Sequence, residues 1–238
     1  MQLPDFDWIF FDCFNTLIDD FDPAGEEGSL LSMPQLAVEC GFFSGPGEFR
    51  EAYAKVRAQT LRNGREMPLH ERLRQTLQAA PVGHSREECV ATASRLLTVW
   101  EAEYAVMLRP TPGVEEMLKH WYSRRALAVV TNSLLPGLPQ QQLERFGLAR
   151  YFRFIVDSAT IGFKKPSPLL LMEALSLAGL GPCDGPQVLC VGDRHDVDIV
   201  SALELGTHVV HFDRRNTRPG VEAAPEGTPT VHDWAEFR

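Results

Sequence analysis

The sequence predicts an α/β fold, a doubly wound parallel sheet with an α-helical unit inserted after its first strand. Three observations predict it. A short continuous apolar run, Trp8-Ile9-Phe10-Phe11, ends at Asp12 and reads as a strand buried on both faces. Residues from about 18 to 108 then carry helical periodicity and little β-branched content. Beyond Arg109-Pro110-Thr111-Pro112-Gly113, apolar runs alternate with helical stretches, the pattern of right-handed strand–helix–strand crossovers.

Within the insertion, residues 34–40, 48–62, 68–79 and 85–108 are the predicted helices. The last opens on Ser85-x-x-Glu88, a capping box. Gly41, Gly45-Pro46-Gly47, Asn63-Gly64 and Pro81-Val82-Gly83 punctuate them, so the block reads as an antiparallel helical bundle. After the boundary, helices are expected over 114–122, 138–146, 166–178 and 197–205. Apolar runs at 126–130, 154–156, 188–191 and 209–212 lie between them as strands. Residues 214–229 are rich in Pro, Gly and Thr and read as a surface loop before a short tail around Trp234. The organisation that follows is a core of residues 1–17 and 109–238 and a helical cap of residues 18–108.

Composition narrows the function. The 238 residues are 44% hydrophobic and 23% charged, which excludes a disordered chain. The formal net charge is −9 and no contiguous basic patch stands out, so nucleic acid and anionic membrane are poor partners. The five cysteines, Cys13, Cys40, Cys89, Cys183 and Cys190, are odd in number and form no C-x-x-C, as in a reducing cytoplasm. The N-terminus lacks the basic start of a signal peptide. No uncharged apolar run approaches the length of a membrane span.

In an open parallel sheet, ligands sit beyond the carboxyl ends of the strands. The polar residues there are Asp12, Thr131-Asn132 and Gly192-Asp193, and Lys164-Lys165-Pro166 follows the run at 154–156. Four strand ends would place a carboxylate, a hydroxyl, an ammonium and a second carboxylate around one point. Lysine otherwise occurs only at Lys55 and Lys119, which makes the pair conspicuous.

This ordered set resembles the haloacid dehalogenase superfamily over nearly the whole chain. The family's first motif is an apolar strand followed by D-x-D-x-T; here it reads Asp12-Cys13-Phe14-Asn15-Thr16. Thr131-Asn132-Ser133 fits the second motif, a Ser or Thr at the next strand end. Gly162-Phe163-Lys164-Lys165-Pro166-Ser167-Pro168 matches G-x-x-K-P-x-P and selects Lys165 over Lys164. Gly192-Asp193 with Asp198 matches the fourth motif, and the predicted helical block falls where the family inserts its four-helix cap. The resemblance implies a Rossmann-like core and a Mg²⁺-dependent phosphatase forming an aspartyl-phosphate at Asp12. It implies metal ligands from Asp12, the Phe14 carbonyl, Asp193 and Asp198, the last directly or through water. Thr131 and the Asn132 backbone N–H would hold the transferred group, and Lys165 would offset charge beside the nucleophile.

One position departs from the family. Phosphatases carry a second Asp as general acid and base where this chain has Phe14, and a phenyl ring transfers no proton. Such catalysis is worth ~10²–10⁴-fold. The readings left open are phosphatase chemistry restricted to acyl or aryl phosphates or to substrates whose proton comes from water or the cap, C–halogen cleavage as in 2-haloacid dehalogenases, C–P cleavage as in phosphonoacetaldehyde hydrolases, and ligand binding without turnover. C–P cleavage would need a cap lysine, and Lys55 is the one in the predicted cap. Asp196 reads first as a helix-dipole partner, His195 as a residue near the fourth motif, and Cys13, Trp100 and Tyr104 as core. Arg50, Arg57 and Arg62 on the second cap helix are placed to meet an anion.

Overall fold

The computed structural model describes residues 3–21, 30–61, 64–213 and 223–238, without the side chains of residues 60 and 61. In chain order its strands are β1 (Trp8–Phe11), β2 (Ile18–Asp19), β3 (Arg109–Pro110), β4 (Ala126–Thr131), β5 (Ile155–Asp157), β6 (Val188–Gly192), β7 (His208–Phe212) and β8 (Thr230–Val231). The helices are α1 (Met33–Glu39), α2 (Pro46–Leu61), α3 (Leu69–Gln78), α4 (Arg86–Met107), α5 (Val114–Tyr122), α6 (Leu138–Arg145), α7 (Ser158–Ile161), α8 (Leu169–Leu177) and α9 (Val200–Glu204). Arg62 and the first part of the expected loop, residues 214–222, lie outside the described residues.

Among the described residues six strands form one parallel sheet in the order β5-β4-β1-β6-β7-β8. The chain leaves β1 to one side for β4 and to the other for β6, so β1 sits at the switch point where ligands bind in such sheets. Phe11 is in register with Val129 on one side and Val191 on the other. The next residues, Asp12, Val130 and Gly192, therefore emerge level.

The apolar runs are unbroken because both sheet faces are covered. Ile9, Phe11, Leu127, Val129, Leu189 and Val191 join one buried cluster. Phe10, Ala128, Val130, Val188 and Cys190 join a second. Successive strand residues alternate faces, so each half of a run feeds one layer. The first cluster continues into Phe49, Leu73, Leu96 and Trp100 of α2, α3 and α4, which ties the helical block to the core.

Helices α1 to α4 occupy the predicted insertion and pack α1 on α2 and α4, and α3 on α2 and α4. Ser85 caps α4 through the expected box: its hydroxyl accepts from Glu88 N, and Glu88 accepts from Ser85 N at 2.7 Å. A short antiparallel ribbon carries the chain in and out, with Ile18 opposite Pro110 and Asp19 opposite Arg109. Two residues per strand are too few to show a periodicity, so the sequence did not announce it.

Other differences are local. Helix α8 begins at Leu169 rather than at 166, because Ser167 N bonds back to Lys164 O at 3.0 Å and closes a turn. The region expected as helix from 197 opens as a π-helical turn, His195–Ile199, before α9. The tail around Trp234 is core: strand β8 pairs with β7, and buried Trp234 stacks on Phe212 at 4.0 Å between ring centroids.

Candidate active site

The sheet brings Asp12, Thr131, Lys165, Asp193 and Asp198 to one point, and all five are buried. Lys165 Nζ donates to Asp12 Oδ1 at 2.8 Å and to Val130 O at 2.8 Å, and pairs with Asp198 Oδ1 at 2.6 Å. Asn132 fixes the segment that carries Lys165. Its side-chain amide donates to Lys165 O at 2.9 Å, and its side-chain carbonyl accepts from Lys165 N at 2.8 Å. The reach of Lys165 is therefore set from the end of β4.

Asp198 is placed by Gly192 and the π-helical turn. Its carboxylate accepts from Arg194 N at 3.0 Å. A Cβ built on Gly192 would lie 2.5 Å from the Cβ of Asp198, so only glycine leaves room for Asp198 to fold back over the strand end. His211 on β7 holds the next residue, its Nε2 lying 2.9 Å from Asp193 O. That contact assigns the imidazole proton to Nε2.

Lys165 pairs with two of three clustered carboxylates, and the third, Asp193, has the Thr16 hydroxyl at 3.5 Å and the Arg194 charge near it. Oxygens of Asp12, Asp193 and Asp198 all lie within 4.8 Å of one another. Burial pushes the Asp12 carboxyl up to about 6, against the pull of the Lys165 ammonium. Burial and the charges of Asp198 and Asp12 push Asp193 well above the carboxylate range. Burial pulls the Lys165 ammonium down, but Asp12 and Asp198 outweigh it and hold it above its ordinary value. The cluster is short of positive charge. Its donors are hard oxygens, the set that suits a small divalent cation.

Two cavities meet here. An inner one of about 180 Å³ is lined by Asp12, Phe14, Asp20, Thr131, Asp193 and Asp198, among others. An outer one of about 560 Å³ runs under the helical block, with Arg57, Glu66, Arg72, Tyr104, Lys164 and Arg194 in its wall. The block is docked on the core at this point. Leu69 N donates to Leu134 O at 2.8 Å, Lys164 N to Gly64 O at 2.9 Å and Ser158 Oγ to Glu66 at 3.0 Å. Gly64 has φ +61, and a Cβ there would meet the Ser167 Cβ at 2.7 Å. Glycine thus permits both the turn and the approach of the helical block to the segment at Ser167.

Some expected residues lie elsewhere. Lys55 and Arg50 are exposed and line neither cavity, and His195 lines neither. Asp196 is in the outer wall, paired with Arg194 at 2.6 Å. Trp100 is core, but Tyr104 also reaches the site, donating to Asp20 Oδ2 at 3.0 Å. Asp20, Glu66 and Arg72 were not legible in the sequence, since no strand-end spacing or motif marks them.

The family model described as haloacid dehalogenase-like hydrolase matches residues 50–212. The chain belongs to the haloacid dehalogenase-like hydrolases. The matched span holds Thr131, Lys165, Asp193 and Asp198. Among curated relatives, phosphoglycolate phosphatase 1 of Pseudomonas aeruginosa is 28% identical over 91% of this chain and 74% of its own. Ribulose-1,5-bisphosphate 5-phosphatase of Halopiger xanaduensis is 26% identical over 91% of this chain and 88% of its own. Among solved structures, a 2-haloacid dehalogenase from Pseudomonas syringae aligns with TM-score 0.71 and 20% identity, covering 98% of this chain and 96% of that one. At that identity the likeness is one of fold. This haloacid dehalogenase-like hydrolase keeps the superfamily's parallel core.

Proposed function

We propose that this hydrolase is a Mg²⁺-dependent phosphatase for a small phosphorylated metabolite with a second anionic group, acting through an aspartyl-phosphate at Asp12. The observation that carries the reading is the clustering of the Asp12, Asp193 and Asp198 carboxylates, with Lys165 paired to Asp12 and Asp198. A site for an incoming phosphoryl anion needs more positive charge than that.

Asp12, the Phe14 carbonyl, Asp193 and Asp198 would hold Mg²⁺, which when bound offsets charge on the phosphoryl oxygens. Asp12 attacks phosphorus. The Thr131 hydroxyl and the Asn132 backbone N–H bind phosphoryl oxygens, and Lys165 holds the nucleophile in line. In the outer cavity, the half-buried Lys164 ammonium is held below its ordinary value by burial, with the Arg72 and Arg57 charges adding to it and Glu66 opposing. Buried Arg72 also keeps an Nε without a partner. A second anion on the substrate, a carboxylate or phosphate, would meet Arg57 and Lys164 in this wall. The relatives named for phosphoglycolate and ribulose bisphosphate accord with such a substrate.

We assign residues 1–17 and 109–238 to the catalytic core and 18–108 to a cap that closes over the substrate and excludes water. Five free thiols accord with a cytoplasmic location. Among the described residues no helix is long and apolar enough to cross a membrane.

A second reading, C–halogen cleavage, is favoured by Phe14 alone, because a halide leaves without a proton. The exposed Lys55 gives a Schiff-base route no support. The test is Mg²⁺-dependent release of 4-nitrophenol from 4-nitrophenyl phosphate, with 2-haloacids in parallel and Asp12→Asn as control. Turnover lost with EDTA and with Asp12→Asn is expected. Turnover of 2-haloacids alone would overturn the phosphatase reading.

A further inference from the structure

Phe14 leaves the phosphatase reading without a proton donor, and among the described residues Asp20 offers a carboxyl group in a position to replace it. Asp20 lines both cavities, in company with Asp12 in the inner one and with Tyr104 and Lys165 in the outer one. It arrives there because the chain doubles back after β1. Leu17 N and Ile18 N both donate to Cys13 O, at 2.7 and 3.0 Å, and Asn15 takes a left-handed φ of 63. Asn15 then accepts from Asp20 N at 3.3 Å. The turn sets residue 20 in the same cavity walls as the ring at the family's acid position, six positions earlier in the chain.

The two oxygens of this carboxyl differ. Oδ2 accepts the Tyr104 hydroxyl at 3.0 Å, and the Tyr104 ring packs 6.1 Å from that of Phe14. Oδ1 is buried and has no partner. A buried polar atom without a partner is costly; an oxygen of a leaving group or of water would satisfy it. The other candidates fit less well. Burial and the Asp20 charge hold the Tyr104 hydroxyl well above its ordinary value, which makes it a poor acid. Asp196 is exposed and engaged twice by Arg194.

We infer that Asp20 is the general acid and base of this hydrolase, doing from the ribbon that leads into the cap what Phe14 cannot do, with Tyr104 from the cap holding it in place. The assignment rests on the phosphatase reading. In the first step an Asp12 oxygen bonds to phosphorus, the ester P–O bond breaks, and the Asp20 proton passes to the leaving alkoxide. In the second, the Asp20 carboxylate takes a proton from water, whose oxygen bonds to phosphorus as the Asp12–phosphorus bond breaks. Asp20 ends protonated and phosphate departs. Tyr104 belongs to α4, so the acid is fully positioned only with the cap seated.

The test is rapid-mixing kinetics of Asp20→Asn with 4-nitrophenyl phosphate and with an alkyl phosphate. The aryl leaving group needs no proton, so a burst of about one 4-nitrophenol per enzyme is expected. Steady turnover then falls ~10²–10⁴-fold for lack of the base, and intact-protein mass shows a trapped phosphoryl group. The alkyl ester should give no burst. Restoring a carboxyl at the family position, in Phe14→Asp with Asp20→Asn, should restore steady turnover. The burst also reports that the variant is folded. Equal loss of burst and steady rate, or no loss of either, would overturn the assignment while leaving the phosphatase reading in place. No phosphate-ester turnover by the unaltered chain would remove both.

Discussion

Lys165 Nζ stands 2.8 Å from Asp12 Oδ1, and both side chains are almost wholly shielded from water. The two residues are far apart in sequence, and the Asn132 side chain fixes the backbone that delivers the lysine. On the proposed reading the contact orients the nucleophile, and it also makes the site a stability hazard.

Lys165→Met should therefore destabilise the fold as well as abolish turnover. It leaves Asp12 and Asp198 buried without their ammonium, and removing one partner of a buried pair costs about 3–5 kcal/mol. Urea denaturation measures it. A loss below about 1 kcal/mol would mean that the carboxylates find another cation or water.

Mg²⁺ should raise the melting temperature of the unaltered chain, and EDTA should reverse the rise. At a hundredfold excess over Kd, linkage stabilises by about 2.7 kcal/mol. Asp193→Asn should flatten the response. A melting curve indifferent to Mg²⁺ would contradict the proposed ligand set without any activity assay.

Gly192→Ala tests how Asp198 is held. The new methyl would lie 2.5 Å from Asp198 atoms, so the strand end or the π-helical turn must move. Overpacking of this kind costs about 1–3 kcal/mol, and the Mg²⁺ response should weaken with it. Retention of both stability and Mg²⁺ response would show that the turn yields freely.

Arg57→Ala and Lys164→Ala test the substrate's far end. Each should raise KM for a phosphate ester bearing a second anion by about tenfold or more, the worth of one charged hydrogen bond. The effect on an ester with a neutral far end should be much smaller. Equal effects on the two esters would argue for a general field rather than a binding contact.

Much of this site was legible because its chemistry is tied to strand ends. Asp12, Thr131 and Asp193 each close an apolar run, and a buried parallel strand has to be such a run. Lys165 stood out through its motif. Asp20 was not legible: it follows a two-residue strand and reaches the site through a turn that hydrophobic periodicity does not encode. The role of the Asn132 side chain was equally hidden, since its hydrogen bonds go to a backbone 33 residues away.

The sequence by itself determined the layers, the alternation of the longer strands with helices, the helical block between the first strand and residue 109, and the carboxylates at the strand ends. Each follows from burial on one or two faces, or from residues adjacent in the chain. Tertiary structure alone decided the clustering of three buried carboxylates around one another and the pairing of two of them with Lys165. It also decided the docking of residues 64–69 on the core and the meeting of Asp20 with Tyr104 across 84 residues. Those depend on distance and on exclusion of water, which arise only when separate elements pack together.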